Sequence, residues 1–309
     1  MKTNGNEQKI DVIISVDAGG TSTRYSVMDQ NRNVVYTVDG GSGSPAVNAN
    51  AESDIINMLE EVYDKVIDEF NVKAIVIGMS GFALVDHDSY VAQLKDKFNT
   101  EIEFISDAYL ALLSILQDKY ENGLVVVSGT GAVINALNKG KLFRTNGWGQ
   151  LLTERGSAYT TVRDFVRQMI HNNEQKGYFS PLEQKFMKHL NYNKLEDFKK
   201  LFYFNPKYVA ASHARFFIEE ADKGDEEAIA WLRYNGQLLG QDAVSALKRV
   251  SMDSEFAAGF RGGFISNAPY VVEGLVDTLK KSGYTPIIVK GDSDPVFGGY
   301  YLAKRKQYI

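Results

Sequence analysis

The chain has 309 residues, enough for one or two domains with cores of their own. Its net charge of -5 leaves no basic excess to neutralise phosphates, which argues against a nucleic-acid surface. Because the chain has no cysteine, disulfides, thiolate zinc sites, cysteine-ligated iron–sulfur clusters and a cysteine nucleophile are excluded. The polar N-terminus and the lack of an apolar run near the ~18 residues that span a bilayer predict a cytoplasmic protein without a membrane segment.

The first part of the chain predicts a three-stranded antiparallel meander, followed by helices that alternate with strands. Short β-branched runs indicate buried strands, and apolar residues at helical spacing indicate helices. The predicted strands are 11–16, 24–29, 34–38, 74–78 and 102–105. The predicted helices are 52–70, 89–98 and 109–116. This order describes one α/β domain.

A second round begins near residue 124 and repeats the order strand, glycine turn, strand, turn, strand. From 156 to about 250 the pattern is mostly helical. The predicted strands are 124–127, 132–137, 142–144, a run that ends with Phe264-Ile265, and 286–289. The clearest predicted helices are 160–171, 206–223 and 226–250, and further helices are predicted near 268–282 and 295–306. The repetition predicts an internal structural duplication with its boundary near 119–123.

Two glycine-rich turns occupy the same position in the two rounds, at 17–23 and 128–131. Glycines permit a sharp turn and let backbone N–H groups approach phosphate oxygens. In the first turn, Gly19 and Gly20 lie among hydroxyl side chains, and the Asp17 carboxylate can hold a hydrated magnesium ion. One such turn alone could be an ordinary hairpin. The pair predicts a clamp on the phosphate chain of a nucleotide.

Five stretches follow one another over nearly the whole chain in the order of a known superfamily. They are a first phosphate motif at 17–24, a catalytic-aspartate segment at 106–108, a second phosphate motif at 128–131, a Gly-Trp-Gly segment at 147–159 and an adenosine motif at 261–264. They resemble the motifs of the sugar kinase, heat-shock protein and actin ATPase superfamily. Within it, the chain looks like the N-acetylglucosamine kinase-like proteins of the BadF/BadG/BcrA/BcrD-type ATPase family.

The resemblance implies an α/β fold of two actin-like (ribonuclease H-like) lobes with ATP and sugar bound in the cleft between them. The first lobe would comprise 1–118 and 296–309, and the larger second lobe 119–295. Asp107 would be the general base that takes the proton of a sugar hydroxyl as its oxygen attacks the γ-phosphorus. Without the resemblance, Ser106 or Asp107 would suit a plain helix N-cap. The implied cofactors are ATP and Mg²⁺, and the implied assembly is a homodimer.

Further residue roles follow from the same resemblance. Contacts to ATP and its phosphates are implied for Asp17, which would also face the metal, and for Gly19, Gly20, Thr21, Thr23, Gly129, Thr130, Gly131, Gly262 and Gly263. Contacts to the sugar are implied for Ser44, Asn48, Asp107, Gly147, Trp148, Glu154 and Ala158. Trp148 could equally be a core residue.

The implied reaction is transfer of the ATP γ-phosphate to an amino sugar, first of all to the 6-hydroxyl of N-acetylglucosamine. N-acetylmuramic acid, glucosamine and other sugars are alternative substrates. Glu154 stands where the family has Asp, Arg155 replaces an acidic residue, and Val133 replaces a polar one. These departures motivate an alternative of another class, a nucleotide-binding regulatory protein without catalysis. The related activator ATPases need a cysteine-bound cluster, so the lack of cysteine argues against that function.

Overall fold

The computed structural model describes residues 9–292 and 294–309. Two compact units divide this chain. The first contains the described residues up to Tyr120 together with Lys290–Ile309, and the second is Glu121–Val289. The described residues 119–120, 290–292 and 294–295, assigned to the second lobe from the sequence, belong to the first unit. Residues 1–8 and 293, which the predicted lobes include, lie outside the described residues.

The first unit is built on a mixed five-stranded sheet. Its strands are β1 (Ile10–Ala18), β2 (Thr23–Asp29), β3 (Val34–Gly40), β4 (Phe70–Met79) and β5 (Glu101–Ser106). Its first helices are α1 (Ala51–Val66), α2 (His87–Phe98) and α3 (Asp107–Leu116). The sheet order is β3-β2-β1-β4-β5, with β1, β4 and β5 parallel and the meander β1-β2-β3 antiparallel.

Strand β1 is apolar on both faces because both faces of the sheet are covered. Val12, Ile14 and Val16 pack in one core with the apolar stripe of α1, whereas Ile13 belongs to a second core on the opposite face. The helix predicted over 52–70 ends at Val66 instead, and Phe70 begins β4. Its apolar spacing continues the helical pattern, but pairing of Phe70 with Ile10 in the sheet decides its conformation.

The second unit repeats the same sheet. Its strands are β6 (Gly123–Ser128), β7 (Ala132–Asn138), β8 (Lys141–Asn146), β9 (Glu255–Arg261) and β10 (Thr285–Ile288). Their order is β10-β9-β6-β7-β8, again with a three-stranded antiparallel meander and a parallel group of three strands. This shared topology confirms the predicted α/β duplication, since β6 to β10 correspond one by one to β1 to β5.

A helical block connects β8 to β9, and one helix connects β9 to β10. The helices are α4 (Ala158–Lys176), α5 (Pro181–His189), α6 (Phe198–Tyr203), α7 (Lys207–Ser212), α8 (Ala214–Asp222), α9 (Glu226–Arg249) and α10 (Pro269–Lys281). The single helix predicted over 206–223 is wrong, because the chain breaks into α7 and α8 around His213. The strand predicted to end at Phe264-Ile265 ends at Arg261, and Ile265–Asn267 forms a 3-10 turn.

The chain returns to the first unit with α11 (Phe297–Arg305), which covers the second face of the first sheet. Tyr300 and Tyr301 pack on Ile13 in the core beneath it. The buried hydroxyl of Ser15 in β1 donates to the carbonyl of Val296 at 2.6 Å, which anchors the start of the helix. None of the helices in the described ranges is long and apolar enough to span a membrane.

Candidate active site

Two aspartates lie at the carboxyl ends of parallel strands in the first unit. Asp17 is the penultimate residue of β1, and Asp107 follows the last residue of β5. The intervening strand β4 aligns Met79 with Ala18 on one side and with Ser106 on the other. Ligands of open α/β sheets bind outside the carboxyl ends of the strands, so the topology gives both carboxylates a suitable position.

The N-cap position of α3 belongs to Ser106 and not to Asp107. Ser106 is the N-cap, and its hydroxyl accepts a hydrogen bond from the backbone N–H of Tyr109 at 3.2 Å. The Asp107 carboxylate accepts from the N–H of the next residue at 2.8 Å and keeps partial solvent exposure. Ser106 is therefore the N-cap, and the Asp107 carboxylate additionally accepts from one N–H of the first turn.

Asp17 has an unusual protonation equilibrium. Burial is the largest cause that raises the pKa of its carboxyl group; together with repulsion from Asp107 and Asp294, and against the opposing charge of Arg24, it brings the pKa from 3.8 to about 7. Arg24 is itself held by Asp39 at 2.8 Å and by Asp294 at 2.6 Å. The four charged groups around Asp17 therefore carry three negative charges and one positive charge, a field that favours an additional cation.

A magnesium ion fits this field only with help from other ligands. Within residues 9–292 and 294–309, no three His, Asp or Glu side chains come together in a group that could hold a metal ion. Magnesium commonly keeps several waters and binds one or two carboxylates together with substrate phosphates. The raised pKa of Asp17 partly reflects neighbouring negative charge, so a bound cation would favour the ionised form of this carboxylate.

The first glycine turn connects β1 to β2 and is braced from one side. The N–H of Gly19 donates to the carbonyl of Ser22 at 3.0 Å, and the carbonyl of Gly19 accepts from the N–H of Gly43 at 3.0 Å. Thr23 is buried and donates its hydroxyl to the carbonyl of Gly41 at 2.8 Å. Of the predicted phosphate contacts in this turn, Thr23 therefore supports the loop, whereas Gly20 and Thr21 are exposed.

The second glycine turn connects β6 to β7 and is tied to the start of α4. The N–H of Gly129 donates to the carbonyl of Gly131, and its own carbonyl accepts from the N–H of Ala158, both at 2.9 Å. A Cβ atom on Gly129 would lie 3.8 Å from the backbone nitrogen of Gly263. The second phosphate motif and the adenosine motif are thus neighbours within the second unit.

Only some of these glycines are required by the fold itself. Gly262 has a φ of +104°, and a Cβ there would lie 2.4 Å from the carbonyl oxygen of Ser128. Gly20 and Gly263 have nothing within 4 Å of such an atom, and neither has a positive φ. The backbone conformation at Gly262 therefore requires glycine. At Gly20 and Gly263 no atom of the described part of the chain fills the space beside the Cα atom.

Adjacent glycines give a matched test of this difference. We expect Gly262→Ala to lower the free energy of unfolding by about 3 kcal/mol or more, because the new side chain meets a backbone carbonyl in a strained conformation. Gly263→Ala should stay within about 0.5 kcal/mol of the parent chain. Urea unfolding of both variants measures this, and equal losses would contradict the assignment.

The Gly-Trp-Gly segment forms a short hairpin-like loop before α4. The N–H of Trp148 donates to the carbonyl of Thr153 at 3.0 Å, and Gly147 has a φ of +69°. The Trp148 side chain is 67% exposed, and the Arg144 guanidinium lies 5.8 Å from its ring centre. The alternative that Trp148 is a core residue is therefore wrong.

The two departures from the family pattern in this segment both form ion pairs. Glu154 is 7% exposed, and its carboxylate contacts the Nζ of Lys207 at 3.3 Å. Arg155 makes a two-pronged ion pair with Asp242 of α9, with its Nε at 3.2 Å. Arg155 therefore acts in the packing of the second unit. Ala158, the first residue of α4, is buried and contributes its N–H to the second glycine turn.

The side chains of Ser44 and Asn48, predicted sugar contacts in the first unit, are less exposed than that of Trp148. Ser44 is buried. The Asn48 amide donates to the carbonyl of Ser42 at 3.1 Å and to Asp54 at 2.8 Å, and its oxygen accepts from the N–H of Asn50. The Asn48 side chain is therefore engaged in hydrogen bonds within its own loop. The hydroxyl oxygen of Ser44 lies beside Gly81, 3.1 Å from the position that a Cβ atom on Gly81 would take.

Charged partners of the site were not predicted from the sequence. Arg24 and Asp294 are 270 residues apart, and Lys207 is 53 residues from Glu154. No local sequence pattern predicts a role for Lys207 or Asp294, because each contacts the site through a partner that is distant in the sequence. Arg24 directly follows the first turn, which was the one available signal.

The chain is similar to known proteins in sequence and in fold. The model of the BadF/BadG/BcrA/BcrD ATPase family matches residues 14–303. An N-acetyl-D-glucosamine kinase of Dictyostelium discoideum is 27% identical over 95% of this chain and 98% of its own. An N-acetylmuramic acid/N-acetylglucosamine kinase of Clostridium acetobutylicum is 22% identical over 94% and 98%. A crystal structure from Chromobacterium violaceum, named as a candidate N-acetylglucosamine kinase, shares the fold with a TM-score of 0.66, at 19% identity over 95% and 98%. The resemblance drawn from the motifs is confirmed.

Proposed function

Because this chain belongs to the BadF/BadG/BcrA/BcrD ATPase family, we propose that it is an ATP-dependent amino-sugar kinase. Its γ-phosphoryl acceptor would be a hydroxyl of N-acetylglucosamine, with the 6-hydroxyl as the first candidate. The names of the Dictyostelium and Clostridium relatives, which align over nearly their whole length, support this substrate class.

The observation that carries the proposal is the position of Asp107. This carboxylate stands at the carboxyl end of β5, next to the N-cap residue Ser106, and lies close enough to Asp17 to raise its pKa. Phosphoryl transfer depends mainly on positioning and charge neutralisation, with one carboxylate to orient and deprotonate the nucleophile. Asp107 and Asp17 are suited to these two separate tasks.

In the proposed reaction, Asp107 accepts the proton of the sugar hydroxyl as that oxygen bonds to the γ-phosphorus. The bond from the γ-phosphorus to the β,γ-bridging oxygen breaks, and ADP leaves with that electron pair. Magnesium, held by Asp17 with water and phosphate oxygens, would neutralise charge on the phosphates. Gly20, Gly129 and Gly263 would bring their backbone close to the nucleotide. This agrees with the open space beside Gly20 and Gly263, where a Cβ atom would meet nothing of the described chain within 4 Å.

For the sugar, we propose contacts from Trp148, Gly147 and Glu154. The exposed indole of Trp148 can cover an apolar sugar face, and the Glu154 carboxylate can accept hydrogen bonds from hydroxyl groups. N-acetylmuramic acid is a second candidate substrate, supported by the name of the Clostridium relative. The packing role of Arg155 weakens one motive for the alternative of a regulatory protein without catalysis.

A coupled ADP-release assay tests the proposal. We expect sugar-dependent turnover with N-acetylglucosamine in the presence of ATP and Mg²⁺, and separate reactions with N-acetylmuramic acid, glucosamine and N-acetylmannosamine would rank the substrates. Glucose and a sugar-free reaction are the controls. If no amino sugar stimulates ADP release, the kinase proposal is wrong. The homodimer and the cytoplasmic location stay predictions.

A further inference from the structure

A buried carboxylate lies directly against the second glycine turn. A Cβ atom on Gly131 would lie 2.8 Å from one carboxylate oxygen of Glu154 and 3.1 Å from the other. The Glu154 backbone is fixed, because its carbonyl accepts from the hydroxyl of Thr160 at 3.0 Å and from the N–H of Ser157 at 3.2 Å. Because the side chain is also buried, the carboxylate is held against the turn.

A negative charge at this place conflicts with the proposed use of the turn. The phosphates of ATP would approach the backbone of Gly129–Gly131, and like charges a few ångströms apart repel strongly where water is partly excluded. A second feature offsets this repulsion. Lys207, the first residue of α7, contacts both carboxylate oxygens of Glu154, with its Nζ at 3.4 and 3.3 Å.

The geometry of the pair suits neutralisation without tight binding. Both distances exceed the 2.7–2.9 Å of a strong charge-assisted hydrogen bond, so the carboxylate keeps lone pairs for other donors. The Lys207 side chain is 37% exposed against 9% for Glu154, so the ammonium group lies toward solvent and the carboxylate toward the turn.

We propose that Lys207 is a positioning residue that neutralises Glu154 beside the Gly129–Gly131 turn and so permits this turn to accept the phosphates of ATP. The inference rests on the proposed phosphate-binding role of the turn, but not on the identity of the sugar. It gives Glu154 a partner of opposite charge. It predicts that removing the Lys207 charge alone weakens nucleotide binding, whereas removing the Glu154 charge alone does not.

Four proteins test the inference by calorimetric titration with magnesium and the non-hydrolysable analogue AMP-PNP: the parent chain, Lys207→Met, Glu154→Gln and the double variant. Lys207→Met should raise the Kd by about ten- to a hundredfold, because an unneutralised carboxylate remains beside the turn. Glu154→Gln should bind as tightly as the parent chain or several-fold more tightly. The double variant should return to within about threefold of the parent chain.

The matched control is Lys200→Met, which removes the same charge from α6, where Lys200 is 71% exposed and contacts Asp197. Its Kd should equal that of the parent chain. The loss in Lys207→Met should also shrink as ionic strength rises, which a purely structural role would not produce.

Parent affinity in Lys207→Met, or a double variant as weak as Lys207→Met, would overturn the inference. So would a parent chain that fails to bind AMP-PNP. A parent chain that shows the expected nucleotide pattern but phosphorylates no sugar would leave the inference intact and reject only the kinase proposal.

Discussion

Asp107→Asn should lower kcat by about 10³-fold or more while the Kd for AMP-PNP changes by less than about threefold. Asparagine keeps the shape of the side chain and its hydrogen bond to the next N–H, but an amide does not accept the proton of the sugar hydroxyl. Steady-state turnover with saturating N-acetylglucosamine measures the first quantity, and calorimetric titration measures the second.

The neighbouring Ser106→Ala is the matched control for this variant. It removes the N-cap of α3 and should cost about 1 kcal/mol of unfolding free energy, since the N–H of Tyr109 loses its acceptor. Its kcat should remain within a few-fold of the parent value. Retained turnover in Asp107→Asn would show that another group is the base, and equal losses in both variants would show that Asp107 acts through the helix terminus.

Asp17→Asn should stabilise the chain at alkaline pH while it weakens magnesium-dependent nucleotide binding. The pKa of Asp17 is raised to about 7 in the folded chain, from 3.8. Between these two values the folded chain holds a proton that the unfolded chain has released, so this group makes the stability fall as pH rises from about 4 to about 7. Above pH 7 its full cost is present, and asparagine removes that cost.

The rise of the Asp17 pKa from 3.8 to about 7 corresponds to roughly 4 kcal/mol, and solvent contact at the partly buried Asp17 reduces this to about 2 kcal/mol. We therefore expect urea unfolding at pH 8 without metal to give Asp17→Asn about 2 kcal/mol more stability than the parent chain. The two curves should converge near pH 4, where Asp17 is protonated in the folded state. A constant difference between pH 4 and pH 8 would contradict the raised pKa.

Asp39→Asn is the control of opposite sign. The hydrogen bond from Arg24 lowers the pKa of Asp39, so its contribution is stabilising above the unfolded pKa and disappears as pH falls. Removing this carboxylate should therefore slightly lower stability at pH 8. Magnesium-dependent AMP-PNP binding should weaken strongly in Asp17→Asn and remain near the parent value in Asp39→Asn, which lies on the exposed side of Arg24.

Local sequence signals located β1, β4, β5 and β6, because a buried strand needs a continuous apolar run whatever its partners are. They misplaced the end of β9, which stops at Arg261. They also predicted that a polar residue follows β5, since Ser106-Asp107 interrupts the apolar pattern. Local signals failed at Phe70, where helical spacing continued into a strand. Pairing with Ile10, 60 residues away, decided that conformation.

The glycine turn at 17–23 shows the same division. Its sequence predicted a tight turn that exposes backbone N–H groups, because Gly19 and Gly20 lie between two apolar strands. Only the tertiary structure separated Thr23, which is buried and bonded to Gly41, from the exposed Thr21 in the same motif. Hydroxyl residues are alike in a sequence pattern, and the packing of a distant loop determines which of them face solvent.

By itself, the sequence determined the α/β class, the duplicated strand and turn order, and the resemblance to the ATPase family, because apolar periodicity and glycine turns are encoded within a few residues. The tertiary structure alone decided how charge is arranged around the site. Arg24 meets Asp294, Glu154 meets Lys207 and Arg155 meets Asp242 across 270, 53 and 87 residues. Such pairs form only where the folded backbone brings distant side chains together, and local propensity does not predict these contacts.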